Sequence, residues 1–239
     1  MTSRELLSET KREWLHKTRL EWYKIMQPFG TWLPAGLQER VPPLEPPTTD
    51  AYLMPAPGLD TVHVQNCRVV PNRLALLTDC LPPNSICCEV GTGKGRFSRK
   101  ILELSNPREL HLIDLSFKDF PHIEFAAASG TVIFHEFDSI IALTRLPDRY
   151  FDWIYFDCNH NGDGPSRHLE VAKHKIKPTG MLAFNGYIFW SHKEFMCYGV
   201  MQAVNEFCLK EKWEMSCLAL HNEGYNDVVI RKRQVALEQ

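Results

Sequence analysis

The chain reads as a doubly wound α/β domain on a mostly parallel seven-stranded sheet. Three observations lead there. From about residue 60, short apolar runs alternate with amphipathic stretches, the rhythm of strands and covering helices. Several runs are apolar on both alternations, as strands buried on two faces must be. Two closing runs, WEMSCLAL and DVVIRK, flank a Gly-containing turn at Asn222–Asn226 and read as an antiparallel hairpin.

The chain begins with a helical pattern over residues 3–27, where Leu7, Trp14, Leu15, Trp22 and Met26 share roughly one side. Val41–Gly58 then holds six of the sixteen prolines. Proline lacks a backbone donor and fixes φ, so this stretch is expected to be an extended connector. The organisation is therefore a helical appendage over 1–40, a proline-rich connector over 41–59 and a main domain over 60–239.

Within the main domain, strands are expected at Ile86–Val90, Leu110–Leu115, Thr131–Phe137, Phe151–Asp157 and Met181–Asn185. Helices are expected at Pro71–Leu81, Phe97–Leu104, Ser166–Ile176 and Phe195–Lys210. In the last of these, Val200, Val204, Phe207 and Cys208 fall on one face. Trp213, Met215, Cys217 and Ala219 then fall on one alternation of the first hairpin strand.

Composition removes several classes of function. Hydrophobic residues at 44% and charged residues at 23% of 239 suit a chain with a real core rather than a disordered one. No apolar run approaches the roughly 20 residues that span a bilayer, so no membrane partner is expected. The N-terminus has neither the apolar core nor the small-residue site of a secretory leader. A formal net charge of −2 without a long basic run argues against a dedicated nucleic-acid binder. None of the eight cysteines forms a C-x-x-C pair. They are expected to be small apolar packers of a reducing, cytoplasmic compartment rather than zinc ligands or a disulfide framework.

The most informative segment is ICCEVGTGKGRFSRKIL. A buried strand carries Glu89, and Gly91, Gly93 and Gly95 then turn the chain into a helix. Such a loop lets backbone approach a ligand, and the helix start offers free N–H groups to an anion. The dinucleotide fingerprint would need glycine at position 96, which is Arg96 here. Asp114 closes the next strand, nineteen residues after Gly95. A carboxylate there can accept from both hydroxyls of a ribose. Asp138 and Ser139 close the third strand, where Asp138 can receive the amino group of an adenine. Acids at consecutive strand ends suit a nucleoside-like ligand, because open α/β sheets bind at the carboxyl edge of their strands.

EVGTGKG, IDL and FDS, followed by FDWIYFDCNHN and IKPTGMLAFNGY, resemble the class I S-adenosylmethionine-dependent methyltransferases, most closely their small-molecule O-methyltransferases. The resemblance runs from about residue 67 to the C-terminus. It implies a Rossmann-like methyltransferase fold and an enzyme using S-adenosyl-L-methionine, with S-adenosyl-L-homocysteine as product. It also implies roles for residues. Gly91, Gly93 and Gly95 face the methionine part, Glu89 organises the loop or approaches the amino group, Asp114 holds the ribose, and Asp138 with Ser139 borders the adenine.

Methyl transfer is an in-line displacement at a sulfonium carbon, and a hydroxyl acceptor needs its proton drawn away. Asp157-Cys158-Asn159-His160 lies just beyond the fourth strand, at the same edge as the glycine loop. His160 is the first candidate for base, since an unperturbed imidazole titrates near pH ~6.5, and Asp157 can orient that ring or the acceptor. Related magnesium-dependent enzymes carry acids after both the fourth and fifth strands. The fifth strand here ends in Asn185-Gly186-Tyr187, a poor charge match for a hard cation, so a divalent metal is not favoured. Trp190 and His192 are read as either pocket-lining or surface residues. The aromatic face of the first helix is read as core packing, a homodimer contact or a lid.

The expectation is transfer to a small-molecule acceptor, onto oxygen. Two other readings stay open. One is a nucleic-acid or protein methyltransferase on the same fold, against which the mild acidity stands. The other is a cofactor-binding pseudoenzyme acting as a partner subunit, which turnover would distinguish.

Overall fold

The computed structural model describes residues 56–121, 125, 131–194 and 196–233. The helical appendage expected over 1–40, with its lid or dimer face, lies outside them, as does the connector apart from residues 56–59. The chain divides into two compact units. Of the described residues, one contains 56–189 and 198–233 and the other contains Trp190–Cys197.

The larger unit opens with a 3-10 turn at Thr61–His63, strand β1 (Arg68–Val70) and helix α1 (Arg73–Asp79). The alternation then runs β2 (Ile86–Val90), α2 (Arg96–Ser105), β3 (Glu109–Asp114), β4 (Val132–Glu136), α3 (Ser139–Arg145), β5 (Phe151–Phe156), α4 (Gly164–Lys175) and β6 (Ile176–Phe184). In the smaller unit, β7 (Trp190–Ser191) and β8 (Met196–Cys197) form a two-stranded antiparallel hairpin. The larger unit closes with α5 (Val200–Glu211), β9 (Trp213–Ala219) and β10 (Asp227–Lys232).

The sheet order is β1-β9-β10-β6-β5-β2-β3-β4. It has eight strands rather than the expected seven, because Arg68–Val70 adds itself parallel to Cys217–Ala219. Three residues with only Val70 buried carry no readable alternation, so this edge strand is invisible in the sequence. Among the eight, β10 alone runs antiparallel, between β6 and β9, and it forms the expected C-terminal hairpin with β9.

Both faces of the sheet are covered, as the doubly apolar runs require. On one face Cys87, Leu110, Leu112, Trp153, Tyr155, Ala183 and Val229 pack against Leu76 and Leu77 of α1 and Ile101 of α2. On the other, Cys88, Val90, Ile113, Ile154, Phe156, Leu182 and Phe184 pack against Leu143, Leu169, Ala172, Val204 and Phe207 from α3, α4 and α5. Helix starts are set by local chemistry. Asn72 caps α1 by accepting from the Ala75 N–H at 2.9 Å, and Asp138 caps α3 by accepting from Ile140 and Ile141. Each cap satisfies backbone donors that the helix itself cannot.

Three further expectations are corrected. The K-P-T-G stretch lies inside β6 instead of preceding it. Ile176 pairs with Phe151 and Met181 with Trp153, so the intervening residues bulge from one continuous strand. The last helix begins at Val200, since Met196–Cys197 are already paired in the hairpin. Cys80 and Cys217 are bonded to each other as a disulfide with their Cα atoms 6.4 Å apart, whereas the sequence reading left every cysteine free. They lie 137 residues apart in the chain, and only the packing of α1 against β9 brings them together.

Candidate active site

The parallel strands β2, β3, β5 and β6 deliver their carboxyl ends to one edge. Side-chain alternation then decides which groups meet there. Glu89 and Tyr155 are register partners, as are Tyr155 and Ala183. One face of the edge therefore receives Glu89, Asp114, Asp157 and Asn185 in succession. Because β10 runs the other way, its first residue, Asp227, arrives at the same edge. Because β1 runs parallel to the rest, the first residue of α1, Arg73, arrives there too.

The glycine loop is built against this edge. Gly91 has φ +86, and a Cβ on it would overlap the backbone carbonyl of Asp157. Its N–H donates to Ile113 at 2.8 Å, and the Asp157 N–H donates to Val90 at 2.8 Å. The loop is thus stitched to both neighbouring strands. Gly93, at φ +50, faces open space, while a Cβ on Gly95 would meet the Phe120 ring at 2.7 Å.

Asp114 accepts from the N–H groups of Thr92 at 2.8 Å and Gly93 at 2.9 Å through one oxygen. Burial alone would raise its pKa; the backbone donors of Gly93 and Thr92 outweigh burial and hold it below the usual carboxylate range. Glu89 is buried and accepts a hydrogen bond from Ser98 of α2. Burial pushes its carboxyl up to about 8 against that bond. Asp138 spends one oxygen on the α3 cap. The Ser139 hydroxyl lies 2.7 Å from Nε2 of His168, a buried imidazole whose pKa burial lowers.

Asp157 and His160 are brought together, with His160 Nε2 3.7 Å from Asp157 Oδ1. The imidazole stacks on Tyr198 at 4.7 Å between ring centroids and 7° between planes. Its backbone carbonyl accepts from Gly199 at 2.7 Å. Gly186, at φ +73, leaves the room this needs: a Cβ there would lie 2.9 Å from both the His160 and Tyr198 rings. Cys158, between the two candidates, lies 3.7 Å from His168 Nε2, and burial pushes its thiol up to about 12, which leaves it unreactive at neutral pH.

The structure adds a cluster that sequence reasoning missed. Asp227, 1% exposed, accepts from Arg73 Nε at 2.9 Å, Tyr155 Oη at 2.7 Å and Asn185 Nδ2 at 2.9 Å. Burial still pushes its carboxyl up. The same guanidinium donates from Nη1 to Asp157 at 3.2 Å and lies over Phe97 and Tyr155 at 5.0 and 5.6 Å. Burial works against its charge, but Tyr155, Asp227 and Asp157 more than offset that and hold it above its ordinary value. One signal was present in the sequence: an acid opening an apolar strand, DVVIRK, and an arginine opening an apolar helix, RLALL, each ask for a buried partner. Trp190 and His192 belong to the smaller unit. Among the described residues no three His, Cys, Asp or Glu side chains converge as a metal site.

Residues 88–187 match the family described as a methyltransferase domain. No curated protein matches the chain. Solved structures share the fold. A Corynebacterium glutamicum protein superposes with a TM-score of 0.54 at 15% identity, over 71% of this chain and 85% of that one. The 1,6-didemethyltoxoflavin-N1-methyltransferase of Burkholderia thailandensis, crystallised with 1,6-didemethyltoxoflavin and S-adenosylhomocysteine, gives 0.52 at 19% identity, over 67% and 76%. A SAM-dependent methyltransferase of Aquifex aeolicus gives 0.50 at 15%, over 66% and 93%. The matched methyltransferase-domain segment thus spans the glycine loop, Asp114, Asp157 and His160, on a doubly wound sheet whose fold is shared with S-adenosylmethionine-dependent methyltransferases.

Proposed function

We propose that this enzyme transfers a methyl group from S-adenosylmethionine to a hydroxyl oxygen of a small-molecule acceptor in the cytoplasm. The observation that carries the reading is the placement of the Asp157–His160 pair, 3.7 Å apart, on the strand end whose carbonyl forms the wall of Gly91. Among the described residues no side chain competes for the space at Gly93, and the loop leads into the N-terminus of a ten-residue helix, so these residues fit the cofactor.

In this reading Gly91, Gly93 and Gly95 line the methionine end and Asp114 holds the ribose from the loop it organises. Asp138 and Ser139 border the adenine, with Ser139 steadied by His168. Glu89 acts through Ser98 to fix the start of α2. The bound cofactor supplies an electrophilic methyl carbon on a sulfonium. His160 takes the acceptor's proton while the oxygen attacks, Asp157 orients the imidazole, and Tyr198 and Gly186 fix the ring plane.

The test has two parts. Calorimetric titration should show S-adenosylhomocysteine binding that His160→Ala leaves within about twofold, since His160 serves the acceptor and not the cofactor. Turnover with a hydroxyl acceptor should fall by about 100-fold or more in that variant, the usual worth of a positioned base. Equal turnover at saturating acceptor would remove His160 as the base.

A phosphate-bearing acceptor is the second reading, and one observation favours it. Lys94, Arg96, Arg99 and Lys100 line a cleft beside the glycine loop, with Glu103 and Asp119 the acids among its described lining residues. An acceptor screen that includes RNA separates the two readings, because Lys94→Ala with Arg96→Ala would then raise KM for the anionic acceptor alone.

A further inference from the structure

The acid cluster at the strand edge contains its own cation. Asp157 and Asp227 come from different strands, yet one guanidinium bonds both, through Nη1 at 3.2 Å and Nε at 2.9 Å. Asn185 is committed to the second oxygen of Asp227 at 2.9 Å. The Arg73 guanidinium lies over the packed Phe97 and Tyr155 rings, 5.0 and 5.6 Å from their centroids, on the first residue of a capped helix. Its position is therefore set by packing as well as by charge.

We propose that Arg73 is the resident cation of this site: it bridges Asp157 and Asp227, holds the free oxygen of Asp157 towards His160, and excludes divalent metal ions from the two carboxylates. The physical reasons are geometric and electrostatic. A hard cation needs several oxygen ligands at its own distance, and here both carboxylates already face a fixed positive charge. A second cation brought to the same oxygens would meet that charge at close range in a poorly solvated place. Arginine suits the role because its planar fork engages two oxygens at once and does not deprotonate. Arg73 is thus a positioning residue, acting on the acceptor end through Asp157. The part about His160 rests on the proposed reaction, whereas the exclusion of metal does not.

Manganese titration followed by electron paramagnetic resonance tests the inference without cofactor or turnover. The wild-type chain should bind no Mn2+ in an Asp157-dependent way. Arg73→Ala should bind one ion per chain at least about tenfold more tightly than any wild-type site, as two carboxylates lose their fixed counter-charge. Adding Asp157→Asn to that variant should abolish the new site, and Arg73→Lys, which keeps the charge, should stay free of metal. A wild-type Mn2+ site that Asp157→Asn removes overturns the proposal, and this arm needs no altered arginine to fold. Arg73→Ala with a native circular dichroism spectrum and no new metal site overturns it as well. Loss of S-adenosylhomocysteine binding in the wild type would defeat the proposed reaction while leaving these outcomes untouched.

Discussion

Gly91 and Asp157 share one space: the Cβ that any other residue would carry at 91 falls on the carbonyl of Asp157. The glycine loop after β2 and the candidate acid after β5 are therefore one rigid unit, joined also by the Asp157 N–H bond to Val90 at 2.8 Å. Gly91→Ala should lower stability by about 2 kcal/mol or more, from the positive φ and the overlap together. Thermal melts check the first consequence. Calorimetry at a temperature where the variant is folded checks the second, a cofactor affinity reduced because the loop has moved.

Asp114 organises the loop with one oxygen, accepting from Thr92 and Gly93. Asp114→Asn keeps the shape and removes the charge, and an amide turned the wrong way would set a donor against those two N–H groups. Affinity for S-adenosylhomocysteine should drop by about tenfold, the worth of one charge-assisted hydrogen bond. Unchanged affinity would show that the carboxylate serves the loop alone.

Asp227 depends on neutral donors as much as on Arg73. Tyr155→Phe removes the 2.7 Å bond to a carboxylate that is 1% exposed and should cost about 1–3 kcal/mol in urea denaturation. Asn185→Asp should cost more, because it replaces a donor at 2.9 Å with a second buried carboxylate.

Glu89 gives stability a pH dependence of unusual sign for a carboxylic acid. Its carboxyl is pushed up to about 8 by burial, while an unfolded chain ionises it near pH ~4.3. Between those values the folded state holds a proton that the unfolded state has released, so this contribution declines as pH rises towards about 8. Wild-type stability, measured relative to Glu89→Gln, should fall as pH is raised through that window. A difference independent of pH would refute the burial argument.

The histidine pair His111 and His135, with ring nitrogens 2.9 Å apart, acts in the opposite direction. Burial lowers both pKa values, and His111 lowers that of His135 further, although Glu109 faces His111 at 3.2 Å and also receives the Tyr150 hydroxyl. Below pH ~6.5 the unfolded chain takes up protons that the folded pair resists. Stability from this pair is complete above that pH and is lost as pH falls. Melts from pH 7.5 down to 5.5 should show the fall, and His135→Gln should flatten it.

Much of the scaffold was legible because it depends on local pattern. Runs apolar on both alternations located β2, β3, β5 and the later part of β6, and the spacing of glycines and strand-end acids located the loop, Asp114 and the Asp157–His160 pair. Asp138 and Ser139 follow β4 at the expected place, but their local commitments, to the α3 cap and to His168, were not foreseen. β1 and the bulge in β6 were missed because each is defined by its partner strand rather than by its own periodicity.

By itself, the sequence determined that this chain forms a two-sided, mostly parallel sheet with a nucleoside-type loop at its carboxyl edge, since burial on both faces and backbone freedom at glycine are written residue by residue. Only the tertiary structure decided which charges meet. Arg73, Asp157, Asn185 and Asp227 lie up to 154 positions apart, and their pairing depends on strand order: β10 enters the sheet in reverse and α1 begins at the same edge. Side-chain electrostatics act over a few ångströms, and no local pattern in a chain records which distant residues will come within that range.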